Sequence, residues 1–205
     1  MAGTRLFAER GYEGTSLSAI AHRAGVNKAM VSYHFGGKRK LYLAIVAATF
    51  DDIVGRAEEL PALRRPAPEL LRRLIALIAE TATRRNPHFP VMMLREVLAG
   101  GRHLADGTLG YPLRVADVVR RIVERGIREG AFRPVNPLLT HLSLIGGLLF
   151  FFATAPLRHR LIATGRLGTS EPDAADYVRH MQDLLVEGLL ARRRSRRGRT
   201  LMTVS

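Results

Sequence analysis

Lys28, Ser32, Tyr33 and His34 fall within seven residues, and Lys38, Arg39 and Lys40 follow within six more. Ammonium, hydroxyl and imidazole groups at that spacing suit a polyanion, because cations and hydroxyls hold phosphate oxygens while longer polar side chains reach base edges. Bond-making chemistry finds no comparable constellation. There is no HExxH, no glycine-rich phosphate loop and no nucleophile elbow. His88, His103, His141, His159 and His180 are scattered without metal-ligand spacing. The chain has no cysteine, which excludes disulfides, thiolate catalysis and cysteine-bound zinc. The expectation is a binding protein with no catalytic residue, no cofactor and no metal.

The elements that must position these groups lie between Thr15 and Lys38. Ile20, Ala21 and Ala24 put a small apolar stripe on a first short segment, and Ser16 is placed to cap its free N–H groups. Gly25 follows, where a left-handed conformation ends a helix abruptly and a side chain would be penalised. Val26 is expected to close the core beside the turn, with Met30, Val31 and Phe35 supplying inward contacts from a second segment. The pattern is that of a helix-turn-helix. Hairpins of this kind also occur in all-α proteins that never touch nucleic acid, so the alternative is a helical protein-interaction adaptor with a non-functional reading head. The candidate DNA-contacting set is Thr15, Ser16, Ser18, Asn27, Lys28, Ala29, Ser32, Tyr33, His34 and Lys38.

The run LFAERGYEGTSLSAIAHRAGVNKAMVSYHFGGKRKLY resembles the N-terminal domain of the TetR (tetracycline-repressor) family. Leu6, Phe7, Gly11, Thr15, Ser16, Ile20, Ala21, Ala24, Gly25, Val26, Tyr33, His34, Phe35, Lys38, Leu41 and Tyr42 carry the likeness, which spans about residues 3 to 46. Two features depart from the family pattern. Only five residues precede Leu6, where the family's first helix usually begins well before its Leu-Phe pair, so weakened packing under the reading head is expected. Ser32 stands where the family often has an aromatic, trading stacking area for a hydroxyl. The resemblance implies an all-α fold: an N-terminal three-helix helix-turn-helix domain over 1–46, then a larger helical effector-binding and dimerisation domain over 47–194. It also implies a repressor that binds a palindromic double-stranded DNA operator as a homodimer and is released by a small molecule.

Composition sets limits around this. With 205 residues and 47% hydrophobic content the chain can bury a substantial core. Its net charge of +14 is unevenly placed: residues 1–50 hold seven Lys or Arg against two acidic residues, and Arg192–Arg199 contributes six arginines. That last run is expected to belong to a basic disordered tail over 195–205, either simply solvated or acting as a phosphate-seeking arm. No secretory-type apolar core opens the chain, so the expected location is the cytoplasm.

The remainder reads as helix after helix. Leu41 to Leu60 continues from the basic cluster; a helix starts near Pro68; another carries Val91 to Leu98 and stops at Gly100 and Gly101. A loop rich in Gly, Asp and Thr then precedes a helix from Val115 to Gly130. Asn136 and Pro137 open the next. Leu142 to Ala155 is apolar all round but, at fourteen residues, too short to span a membrane, which needs about twenty. Burial against a second subunit follows, with Gly146 and Gly147 permitting close approach of another backbone. A last helix is expected after Ser170 with Pro172 in its first turn, so the homodimer is expected to form through helices around 137–155 and 171–194. The resemblance places an effector pocket in this body. Its candidate lining is Met92, Met93, Arg95, Glu96, His103, His141, Phe150 and Phe151, suited to a small hydrophobic or aromatic effector.

Overall fold

The computed structural model describes residues 2–191, so the Arg192–Arg199 run and the tail expected over 195–205 lie outside the described residues. Those residues form ten α-helices and no named strand. Local chemistry sets the first three. In α1 (Ala2–Arg10), α2 (Leu17–Ala24) and α3 (Lys28–Phe35), the apolar positions converge on a core of Leu6, Phe7, Ile20, Ala21 and Val31. The Ser16 hydroxyl accepts from the Ala19 N–H at 3.1 Å and the Asn27 side chain from the Ala29 N–H at 2.8 Å, so both turns start on a satisfied cap. Gly25 ends α2 at φ 68°, a left-handed conformation that few side chains tolerate.

α4 (Lys38–Glu59) runs without a break from this head into the body. The body's centre is α5 (Ala67–Glu80), whose Leu70, Leu71, Leu74 and Ile75 are fully buried, each contributing about 1.5–3 kcal/mol. α7 (Asp106–Arg128) covers it with Val118, Val119, Ile122 and Val123. A π turn, Thr81–Arg85, links α5 towards α6 (Phe89–Leu98). α8 (Pro137–Ala153) starts on Asn136, whose side chain accepts from the Leu138 N–H at 2.8 Å. α9 (Ala155–Ala163) and α10 (Ala174–Leu189) complete the order.

Several expectations change here. α7 begins well before Val115 and carries Pro112 inside it. Contacts to α4 outweigh the lost backbone bond: Tyr111 stacks on Phe50 at 5.4 Å and donates to Asp51 at 2.6 Å, and Arg114 makes a two-pronged bond to Glu58. α10 starts on Asp173, whose carboxylate accepts from the Asp176 N–H at 2.7 Å, leaving Pro172 outside it. Gly147 accommodates a neighbour in the same chain: a Cβ there would come within 2.7 Å of the Met181 side chain on α10. α8 is not covered all round. Leu144 and Leu148 are buried, while Leu138, Leu139, Leu142 and Phe150 are exposed. Among the described residues no single helix is long and apolar enough to cross a membrane.

In the head, Val26, Met30 and Phe35 are exposed rather than inward, and Val31 alone of that group is buried. An eight-residue helix crossing its neighbours has little more than one turn in contact, and the residues beyond that turn reach the rim. α1, only nine residues long, is braced from an unexpected side. Arg95 on α6 donates from Nε to the Ala8 carbonyl at 2.9 Å, satisfying a free carbonyl at the C-terminal end of α1.

Candidate nucleic-acid interface and effector recess

α3 presents Lys28, Ala29, Tyr33 and His34 to solvent, with Tyr33 90% exposed. A tyrosine so exposed contributes nothing to its own core, and its ring and hydroxyl are free for a partner. Ser32 is half-buried beside it, and Ser16 and Ser18 are exposed at the start of α2, where helix N–H groups favour an anion. Lys28, Arg39 and Lys40 form no ion pair among the described residues. These three cations therefore offer positive charge with no internal counter-ion.

Four members of the expected contact set are engaged inside the head, the Ser16 hydroxyl as the cap that accepts from the Ala19 N–H. Thr15 is buried, its hydroxyl 2.7 Å from the Gly11 carbonyl and 3.1 Å from that of Leu6, so it pins the α1–α2 turn instead of meeting DNA. Thr15→Val is expected to cost about 1–3 kcal/mol, read as a lowered midpoint in chemical unfolding. Lys38 donates to the Tyr12 carbonyl at 3.1 Å and lies 4.3 Å over the Tyr12 ring, so its charge braces the head from beneath. The Asn27 oxygen is spent on the α3 cap.

The body contains a recess of about 100 Å³ with an almost wholly apolar lining. Phe50 and Ile53 come from α4, Ile78 from α5, Phe89, Pro90 and Met93 from α6, Val115 from α7, and Ile145, Leu148, Leu149 and Phe152 from α8. Thr81 and Ala82 of the π turn close one end. Of the eight residues expected to line an effector pocket, Met93 alone is there. Met92 is fully buried in the core, Phe150 faces solvent, and Phe151 stacks on Tyr177 at 3.7 Å. His141 is buried on α8, and burial lowers its pKa, so it is neutral at pH 7.

Arg95, Glu96 and His103 form a different assembly, between head and body. Glu96, 2% exposed, accepts from the Tyr42 hydroxyl at 2.8 Å and from the His103 backbone N–H at 2.8 Å, and His103 Nδ1 lies 2.8 Å away. Burial raises the Glu96 pKa, but those three contacts more than offset it and the carboxyl sits below its ordinary 4.5. His103 also stacks on Tyr12 at 4.3 Å. The pair expected to be pocket lining is instead a seam fixing α6 to α1 and α4.

A family model for bacterial regulatory proteins, tetR family, matches residues 1–45, and one for the tetracyclin repressor-like C-terminal domain matches residues 68–185, more than half the chain. The chain belongs to the tetR family. As such it is a DNA-binding transcriptional regulator and not an enzyme. It is 28% identical over 192 residues to the HTH-type transcriptional repressor NicS of Pseudomonas putida, covering 92% of this chain and 89% of that one. With the HTH-type transcriptional regulator RutR of Escherichia coli K12 it shares 26% identity over 188 residues, 91% of this chain and 86% of that one. Its fold matches the crystal structure of the TetR family regulator PfmR from Thermus thermophilus, with a TM-score of 0.72 at 24% identity over 91% of this chain and 95% of that one. The tetR-family head was legible because its caps and hinge are local. The recess was not, because no spacing rule joins five helices.

Proposed function

We propose that this regulator is a homodimeric repressor that reads a palindromic operator through α3 and is released when a small hydrophobic or aromatic effector enters the apolar recess. The reading head corresponds to residues 1–46 and the effector-binding and dimerisation body to 47–194, with the cytoplasm as its place of action. One observation carries the coupling. α6 borders the recess through Phe89, Pro90 and Met93 and, one turn further on, holds the head through Arg95 and Glu96. An effector that displaces α6 thereby changes where the head sits, and the required differential affinity follows from the recess being filled in one state and not in the other. The exposed apolar face of α8 and Leu184 of α10 supports pairing of two bodies, which would offer two heads to half-sites about 34–36 Å apart. The repressor name of the Pseudomonas relative supports the sign of regulation.

Footprinting on DNA flanking the protein's own coding region tests the reading; the expected result is one salt-resistant palindromic site, and binding without any such site would overturn it. The head's contacts separate by salt dependence. Lys28→Ala is expected to weaken binding evenly across sequences and to lower the slope of log affinity against log salt by about one. Tyr33→Ala is expected to lose about tenfold in affinity, with relaxed preference at one base position if the ring reads a base.

A further inference from the structure

Thr81 sits where the apolar recess meets a polar cleft. On one side it closes the recess beside Ile78, Ala82 and Phe89; on the other it lines the cleft with Asp52, Arg85 and Asn86. The residue is 3% exposed, and its Oγ1 has no hydrogen-bond partner among the described residues. Other helical threonines behave differently. Thr49, Thr83, Thr140, Thr154 and Thr164 each donate to the carbonyl four residues back, which satisfies the hydroxyl locally. Thr81 instead opens the π turn, a widening of the helix of the kind that recurs at functional sites. The turn closes with the Asn86 N–H donating to the Thr81 carbonyl at 2.8 Å, and Asn86 has a second buried atom with nothing to accept, its Oδ1.

A buried hydroxyl left without a partner costs as much as a broken hydrogen bond, and Thr81 is the one residue of the recess lining with a side-chain O–H or N–H, so a ligand that widens the recess meets its only side-chain donor there. The geometry points to Thr81 as the polar recognition point of the recess, for an uncharged effector that is apolar over most of its surface and carries one hydroxyl or carbonyl group at the Thr81 end. The assignment rests on the recess being the effector site. No charged side chain lines the recess, so a carboxylate or ammonium there would lose its hydration without a counter-charge. At the cleft, Asp52 and Arg85 already pair with each other at 2.6 Å. The volume of about 100 Å³ lies below the roughly 150 Å³ that admits benzene, so a single ring enters only as the recess widens, which is the displacement of α6 that the proposed release requires.

Toluene and phenol have the same outline and differ by a methyl against a hydroxyl, which makes them the probes. Calorimetric titration of the full chain with each is compared across wild type, Thr81→Val and Thr81→Ser. The ratio of the toluene Kd to the phenol Kd is expected to fall about fivefold in Thr81→Val, the worth of one hydrogen bond, and to be kept in Thr81→Ser. The unliganded Thr81→Val protein is expected to melt no lower than wild type. An unchanged ratio in Thr81→Val, with both probes still bound, overturns the role of Thr81 and leaves the recess as the effector site. Failure of wild type to bind either probe overturns both readings. A Thr81→Val melting point several degrees below wild type shows that the hydroxyl is already satisfied inside the protein and overturns the assignment as well.

Discussion

Replacing Leu142 with glutamate is expected to leave a folded monomer that has lost about 100-fold or more of its operator affinity. Leu142 is 56% exposed on α8, in an i, i+4 row with Leu138, Gly146 and Phe150, and Leu184 on α10 is exposed as well. Such a row has no role in the core of its own chain, so the substitution should shift the melting temperature little. Within a dimer the same carboxylate would be taken out of water against leucines with no partner, which costs several kcal/mol per copy and appears twice by symmetry. Loss of the dimer removes the gain of binding two half-sites at once, which reaches about 10²–10⁴ when geometry allows both to engage. Light scattering coupled to size exclusion, followed by operator titration, checks both halves. A variant that stays dimeric would place the interface elsewhere.

Glu96→Ala is expected to destabilise the protein by about 3 kcal/mol and to weaken operator binding together with stability. The substitution strands the Tyr42 hydroxyl, the His103 backbone N–H and the His103 ring nitrogen around an interior position, and a buried donor without an acceptor costs about 1–3 kcal/mol. The seam lost is the one that ties α6 to α4, so the head loosens as well as the body. The pH dependence has a defined sign. Because the folded-state pKa of Glu96 is depressed, its contribution is present above the ordinary value of 4.5 and is lost as pH falls through the depressed one. Acid unfolding followed by circular dichroism should therefore show a transition below the ordinary carboxylate range that Glu96→Gln flattens. An unchanged acid limb in that variant would remove Glu96 from the seam's energetics.

The amino-acid sequence by itself determined the order of the helices, α9 (Ala155–Ala163) excepted, and the family of the reading head. Ser16, Gly25, Asn136 and Pro137 act on backbone groups within four residues of themselves, so their consequences are local and legible. Periodicity likewise marked the apolar faces of α5, α7 and α10. Tertiary structure alone decided what those faces meet. Glu96 carries a charge and follows Arg95, which on a helix reads as a solvent-facing pair, yet Tyr42 and His103, distant in sequence, turn it into a buried acceptor. Pro112 reads as a loop residue, yet Tyr111 and Arg114 are held by α4 and the helix forms through it. The recess draws on five helices and a π turn, and a helical period states which side of each is apolar without stating which neighbour covers it or leaves a space. Long-range packing settles that last question, and in this regulator it forms the apolar recess and the α6 seam on which the proposed effector response rests.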